Sequence, residues 1–373
     1  MKGQWIGHYS GNNEGLILIN VDELQSRFEG VAYVNSDNGA LPGLAAWFNT
    51  PTKARDFAFR TTYILPIHPH TGMTDSWDNV KRLFEQDVVI PEHADVRGTW
   101  TETALKISWI TNIGTQGSCE LPRSKAGDPS ELVPLSQVHD WVSFKNYVSS
   151  LEGRRHLFRG QIKPWRLRTS FHRSDRADVH RFLNEDLQVL HKHLSARTRH
   201  VFNLDNPNEN GAFFNLVQHH GYPTPLLDWT YSPYVAAFFA YRGISNQVAS
   251  VANATDKVRI HVFDQAQWKI DWRQLLQLLP PGPHLSIGEF LAIENERMIP
   301  QQAASTVTNI DDIESYIKSK EANGKTYLWA IDLPVSERRT VVQELSYMGI
   351  TAGSLFPGLD GACEELKERN FEI

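Results

Sequence analysis

The stretch LVQHHGYPTPLLDWTYSPYVAAFFA, from Leu216 to Ala240, constrains the fold more than any other part of the chain. It is apolar enough to lie in a core, yet its middle carries His219, His220, Thr224, Asp228, Trp229, Thr230 and Ser232. Burying a polar group without a partner costs roughly 1–3 kcal/mol. Each of these residues therefore needs a hydrogen-bond partner or a ligand. Locally the stretch reads as a Gly-x-Pro turn, a short apolar strand holding Asp228, and a helix opening at Ser232 with Pro233 in its first turn. Asp228 and Thr230 lie two apart on that strand and share a face, and His219 or His220 can reach the same space. A structural reading stands beside this one: Asp228 pins Arg159, and Ser232 caps the next helix.

The rest of the chain supplies the frame. Its 373 residues allow two domains. Residues 1–120 read as antiparallel β. Gly15–Val21 is a strand, Arg27–Val34 alternates with Phe28, Gly30, Ala32 and Val34 on one face, and Thr99–Ile110 puts Leu105, Ile107 and Trp109 together. Within this region Ser76–Asp87 reads as one helix capped by Ser76. Residues 121–137 lack periodicity and read as a linker. From 138 to 373 helical patterns (Val138–Leu151, Asp178–Thr198, Glu337–Gly349) mix with strands at Val258–Asp264 and Thr326–Pro334. The expected class is α+β, an antiparallel β-rich domain followed by an α+β domain.

Several functions are disfavoured. A net charge of −6 and the lack of a long basic run weigh against sequence-independent nucleic-acid binding. The arginines between Arg154 and Arg173 keep a local patch open as a third, lesser reading. Two distant cysteines form no CxxC pair or disulfide framework. With no apolar leader and no membrane-length apolar run, a cytoplasmic protein without membrane contact is expected. His68 and His70 lack nearby carboxylates, and His191 and His193 lie on different sides of a helix, so no metal is expected.

Two further stretches can carry chemistry. In HLFRGQ, from His156 to Gln161, an apolar lead-in delivers Arg159 beside Gly160, a residue that permits close approach to the backbone. Arg159 either grips a phosphate or carboxylate in a bidentate way or braces the fold through a carboxylate. In ENERMIPQQAAST, from Glu294 to Thr306, Arg297 precedes Gln301 by four residues. The pair either orients a polar ligand or is ordinary surface polarity.

FRGQ, HHGYPTPLLDWTYSP, NERMIPQQ and LFPGLDG together resemble the FRG domain, a family of mostly bacterial and phage proteins. Ala303, Ala304 and Ser305 depart from the Gly and Phe usual there. The order of these motifs is similar to that of ADP-ribosyltransferases, and several expectations follow from that resemblance alone. NAD is the substrate, and the reaction is ADP-ribosyl transfer or NAD cleavage by an effector of toxin or phage-defence type. Gly160 holds nicotinamide, Arg159 contacts ribose or phosphate, Thr230 or Trp229 borders the nicotinamide ribose, and Gln301 faces a ribose hydroxyl. Gln161, His219, Thr224 and Arg297 complete the binding set. Asp228 serves as the electrostatic group and His220 (or His219) as a base toward a protein or nucleic-acid acceptor. The first domain binds a partner or trigger. The alternative reading is a non-catalytic module that binds a nucleotide or a protein.

Overall fold

The computed structural model describes residues 1–371 apart from 277, 279–281 and 323. Nine strands come first: β1 (Gly3–Gly11), β2 (Gly15–Glu23), β3 (Phe28–Ser36), β4 (Leu44–Asn49), β5 (Asp56–Arg60), β6 (Tyr63–Pro66), β7 (Ala94–Trp100), β8 (Ala104–Thr111) and β9 (Gln116–Pro122). They form one antiparallel sheet in the order β5-β7-β8-β9-β1-β2-β3-β4-β6. Its two edge strands are consecutive in the chain, so the sheet curls toward closure. At the link, Thr61 N donates to Ala94 O and Thr62 N to Trp47 O. The curl encloses Trp5, Ile17, Ile19, Phe28, Phe48 and Leu105. β3 alternates as its sequence requires, but both faces are covered. Ala32 and Val34 pack inward, whereas Val31 and Tyr33 join Leu18, Trp47 and Ile310 against the second half of the chain.

The second sheet contains β10 (His156–Gln161), β11 (Leu226–Thr230), β12 (Lys257–Asp264), β13 (Leu285–Gly288), β14 (Ala303–Thr308) and β15 (Leu328–Pro334). Its order is β13-β14-β11-β10-β12-β15, antiparallel throughout. One junction is unlike the others. β10 makes six register pairs with β12, and β11 makes five with β14. Between β10 and β11 only Phe158 and Thr230 pair. On one face Phe158 packs with the helix Pro233–Tyr241, and on the other Leu157 packs with Trp229, Phe263 and Trp268.

Buried polar contacts join the two halves. The Asp22 carboxylate of β2 accepts from Arg176 Nε (2.5 Å), Ala177 N (2.8 Å) and Asp178 N (3.2 Å). Gln4 Nε2 donates to Asn309 O (2.6 Å), and its Oε1 accepts from Asp311 N (3.0 Å).

Four local expectations change. Ser76 makes no side-chain cap, and the helix expected there is one turn, Trp77–Val80, followed by a 3-10 turn at Lys81–Leu83. The helix expected over Asp178–Thr198 is divided. Asp178 caps a turn at Val179–Arg181, a π-turn covers Phe182–Asp186, and the α-helix runs Leu187–Leu194. The helix of Val138–Leu151 begins only at Trp141, because Asp140 and Ser143 form a reciprocal capping box. Residues 121–137 are not a free tether. β9 runs through Leu121, Leu135 N donates to Ala330 O on β15, and Ser130 Oγ accepts from Arg259. Backbone groups in that segment are satisfied on the second sheet, so missing periodicity does not mean missing order. Among the described residues no helix is long and apolar enough to cross a membrane.

Candidate functional site

A cavity of about 800 Å³ opens where β10 and β11 part. Arg159, Gly160 and Gln161 follow the single paired residue Phe158, so their edge of β10 has no ladder partner on β11. Strand alternation then fixes the side chains. Phe158 pairs with Thr230, so Asp228 shares a face with Phe158 and Thr230, while Arg159 points to the face of Leu157 and Trp229. Arg159 and Asp228 meet through the gap rather than side by side. Arg159 Nη1 donates to the Asp228 backbone carbonyl at 2.5 Å. The guanidinium thus substitutes for part of the lapsed ladder.

Six arginines line the cavity, and they fall into two kinds. Arg166 is paired with Asp312 and Glu131, Arg168 with Asp311, and Arg242 with Glu364. Arg159, Arg173 and Arg297 have no carboxylate partner among the described residues. Each donates instead to a main-chain carbonyl: Asp228 O, Arg168 O (2.6 Å) and His219 O (3.2 Å) respectively. A carbonyl fixes a guanidinium without neutralising it. Burial pushes Arg159 down to about 10, opposed by Asp228 and reinforced by Arg173, and it stays charged at neutral pH. Its Nε is buried without a hydrogen bond. The Asp228 carboxylate, which also lines the cavity, has no hydrogen bond or ion pair among the described residues.

The remaining predicted residues divide clearly. Gly160, Gln161, His219, Trp229, Thr230 and Gln301 line the cavity. Gln161 Oε1 is buried and unpartnered. His219 Nδ1 is engaged with Asn295 Oδ1 at 2.8 Å. Gln301 Nε2 donates to Leu355 O at 2.9 Å, and its Oε1 has no hydrogen bond among the described residues. Gln302, at φ 46°, takes the left-handed conformation that turns the chain into β14.

Three of these, with Thr224 and His220 outside the lining, also make contacts that hold the fold. Thr230 Oγ1 donates to Gln301 O (2.7 Å) and accepts from Ser232 N (3.0 Å). The Trp229 indole packs on Phe263 and donates to Thr306 Oγ1. Thr224 is wholly buried, bonded to Gln218 Oε1, and outside the cavity lining. His220 is an exposed helix C-cap and is also outside it. Gly160 does require close approach, but of protein: a Cβ there would lie 1.9 Å from Ala236 O and 2.7 Å from Ala240 N of the helix Pro233–Tyr241. Ser232 caps that helix through Val235 N.

The FRG-domain model matches residues 154–248, which hold the Arg159 strand, the Asp228 strand and the helix packed on them. The chain carries an FRG domain. No curated protein and no solved structure matches the chain. Arg297, Gln301 and Phe356 lie beyond the matched residues, yet they wall the same cavity as the FRG strands. Phe356, in the LFPGLDG stretch, is a site residue that sequence reading missed. Its ring carries the Arg242 guanidinium at 3.9 Å and that of Arg297 at 5.4 Å. Arg173 was visible only as one of a run of arginines. The carbonyl anchor that leaves its charge free has no sequence signal.

Proposed function

We propose that the FRG cleft binds NAD and promotes cleavage of its nicotinamide–ribose bond, with transfer of ADP-ribose to an acceptor or to water. The observation that carries this is the set of three carbonyl-anchored guanidiniums, Arg159, Arg173 and Arg297, in a cavity that also holds the unpaired carboxylate of Asp228 on β11. Uncompensated positive charge in a partly enclosed site favours an anion. Two unit charges about 4 Å apart attract by about 4 kcal/mol at the effective dielectric of a protein surface. A pyrophosphate matches several fixed guanidiniums better than a single carboxylate does.

Cleavage takes the glycosidic electron pair away with neutral nicotinamide and leaves an oxocarbenium-like ribose. A carboxylate close to that carbon lowers the barrier, and Asp228 has no competing partner. The acceptor's oxygen or nitrogen then bonds to the ribose carbon, and its proton passes to a carboxylate or to water. Gln301 is neutral and orients through Oε1. His220, exposed away from the cleft, has no part in this scheme, and His219 is the histidine at the cavity wall.

The neutral amide of Gln301 favours a second reading, a nucleotide-binding module without turnover. Incubating the full chain with NAD separates the two. The cleavage reading expects nicotinamide release, falling roughly a hundredfold in Asp228→Asn with NAD binding retained. It expects NAD binding to weaken about ten- to a hundredfold in Arg159→Ala, as loss of a charged hydrogen bond implies. Binding without release transfers the site to the second reading, and absence of binding removes both.

A further inference from the structure

The cleavage chemistry leaves several cavity residues without a role, Trp165 among them. Trp165 is the single member of the eleven tryptophans with a largely open side chain, 49% exposed, and it sits on the cavity wall. Among the described residues its ring makes no aromatic or cation–π contact, and its Nε1 makes no hydrogen bond. An open indole normally forfeits a large burial gain.

The main chain beneath the ring is nevertheless fixed. Trp165 forms an antiparallel bridge with Pro129, its N donates to Lys163 O at 2.8 Å, and Ser130 N donates to Pro164 O at 3.1 Å. The next two residues, Arg166 and Leu167, are buried, with Arg166 paired to Asp312 and Glu131. A rigid backbone therefore presents a bare aromatic face. On the segment bridged to it, Asp128 lines the same cavity with a carboxylate that has no partner among the described residues.

A tryptophan on an open surface suits a protein partner. One on a cavity wall, with an unpaired acceptor beside it and unpaired guanidiniums in the same cavity, suits a flat heterocycle on an anionic chain. Base–aromatic stacking supplies affinity at modest ordering cost because the platform is already fixed. We infer that Trp165 is the stacking platform for the adenine of the bound nucleotide. Asp128 accepts the exocyclic amine, and the phosphates run inward toward Arg159 and Arg173. This deepens the nucleotide reading above and rests on it.

Calorimetric titration of the full chain with ADP-ribose, NAD and nicotinamide mononucleotide tests it, using wild type, Trp165→Ala and Trp165→Phe. ADP-ribose and NAD should bind about five- to 150-fold more weakly to Trp165→Ala, the range expected for one stacked base. Trp165→Phe should recover most of that loss, and nicotinamide mononucleotide, which lacks adenine, should not respond. Unchanged ADP-ribose affinity in Trp165→Ala overturns the inference. So does an equal loss for nicotinamide mononucleotide, because the ring then only shapes the cavity. If ADP-ribose responds to Trp165 while NAD is never consumed, the base platform stands and cleavage falls. If wild type binds none of the three, both fall, and Trp165 becomes a protein-docking residue.

Discussion

The two sheets of this chain solve the backbone hydrogen-bond problem differently. In the first sheet, β2 and β3 share nine register pairs and β7 and β8 share seven, and the curled interior is apolar. In the second, the ladder fails between β10 and β11, and an arginine side chain fills in for it. Buried side-chain nitrogens and oxygens that lack a hydrogen bond follow the same division, and every one lies at residue 156 or beyond. The first sheet also thins, to Ser10–Ser118 and Gly11–Gly117 between β1 and β9, but it closes over apolar side chains. Where the ladder parts beside buried polar side chains, as between β10 and β11, polar groups stay oriented and unspent, which is what a ligand site requires.

That contrast can be broken or sharpened by experiment. The largest effect is expected at the seam. Asp22→Ala removes a buried acceptor from Arg176, Ala177 and Asp178, and breaking such a pair costs about 3–5 kcal/mol. Chemical denaturation measures the loss. If the first sheet also braces the arginines of the cleft, NAD affinity should fall with it, whereas unchanged affinity would make the halves energetically separate.

Asp178 gives the next effect. Burial raises its carboxyl from the ordinary 3.8 to about 7, opposed by the hydrogen bond from Arg181 N and assisted by Asp22. The native state keeps this proton over a range in which the unfolded chain has lost it. Its contribution is therefore fully present below about pH 4 and is lost as pH rises through about 7. Asp178→Asn keeps the cap and removes the titration. The variant should gain roughly 2–4 kcal/mol relative to wild type between those limits, read as a difference in denaturation midpoints. A constant difference across pH would refute the assignment.

The smallest effect belongs to the first sheet alone. Its interior holds an apolar void of about 100 Å³ bordered by Ala32, Ala46 and Ile19. Ala32→Val should raise stability by about 0.5–1 kcal/mol in thermal melts, with nucleotide binding unchanged.

Much of this was legible from residues alone. The residue pattern exposed β2, β3 and β8 of the first half, though Thr99–Ile110 crosses the turn between β7 and β8, and buried polar residues around Asp228 pointed to a cleft that Arg159 and Gln301 also line. What sequence could not supply was nonlocal. Nothing in HLFRGQ or PLLDWT says that their strands pair at one position only, so the opposed faces of Arg159 and Asp228 stayed hidden. His220 and Thr224 illustrate the same limit. A motif places both near the strand, but helix termination turns one to solvent and Gln218 claims the other. Gly160 lines the cavity, and its missing side chain also lets the helix Pro233–Tyr241 approach the strand, a second use that the sequence does not signal.

Arg159 holds two offices at once. Its guanidinium fastens the Asp228 strand across an otherwise unlaced seam, and it is also an unspent counter-ion of the cleft. An anion that pulls Nη1 from that carbonyl is bought with strand cohesion. Filling the cleft and keeping the sheet knit are therefore competing demands on one side chain.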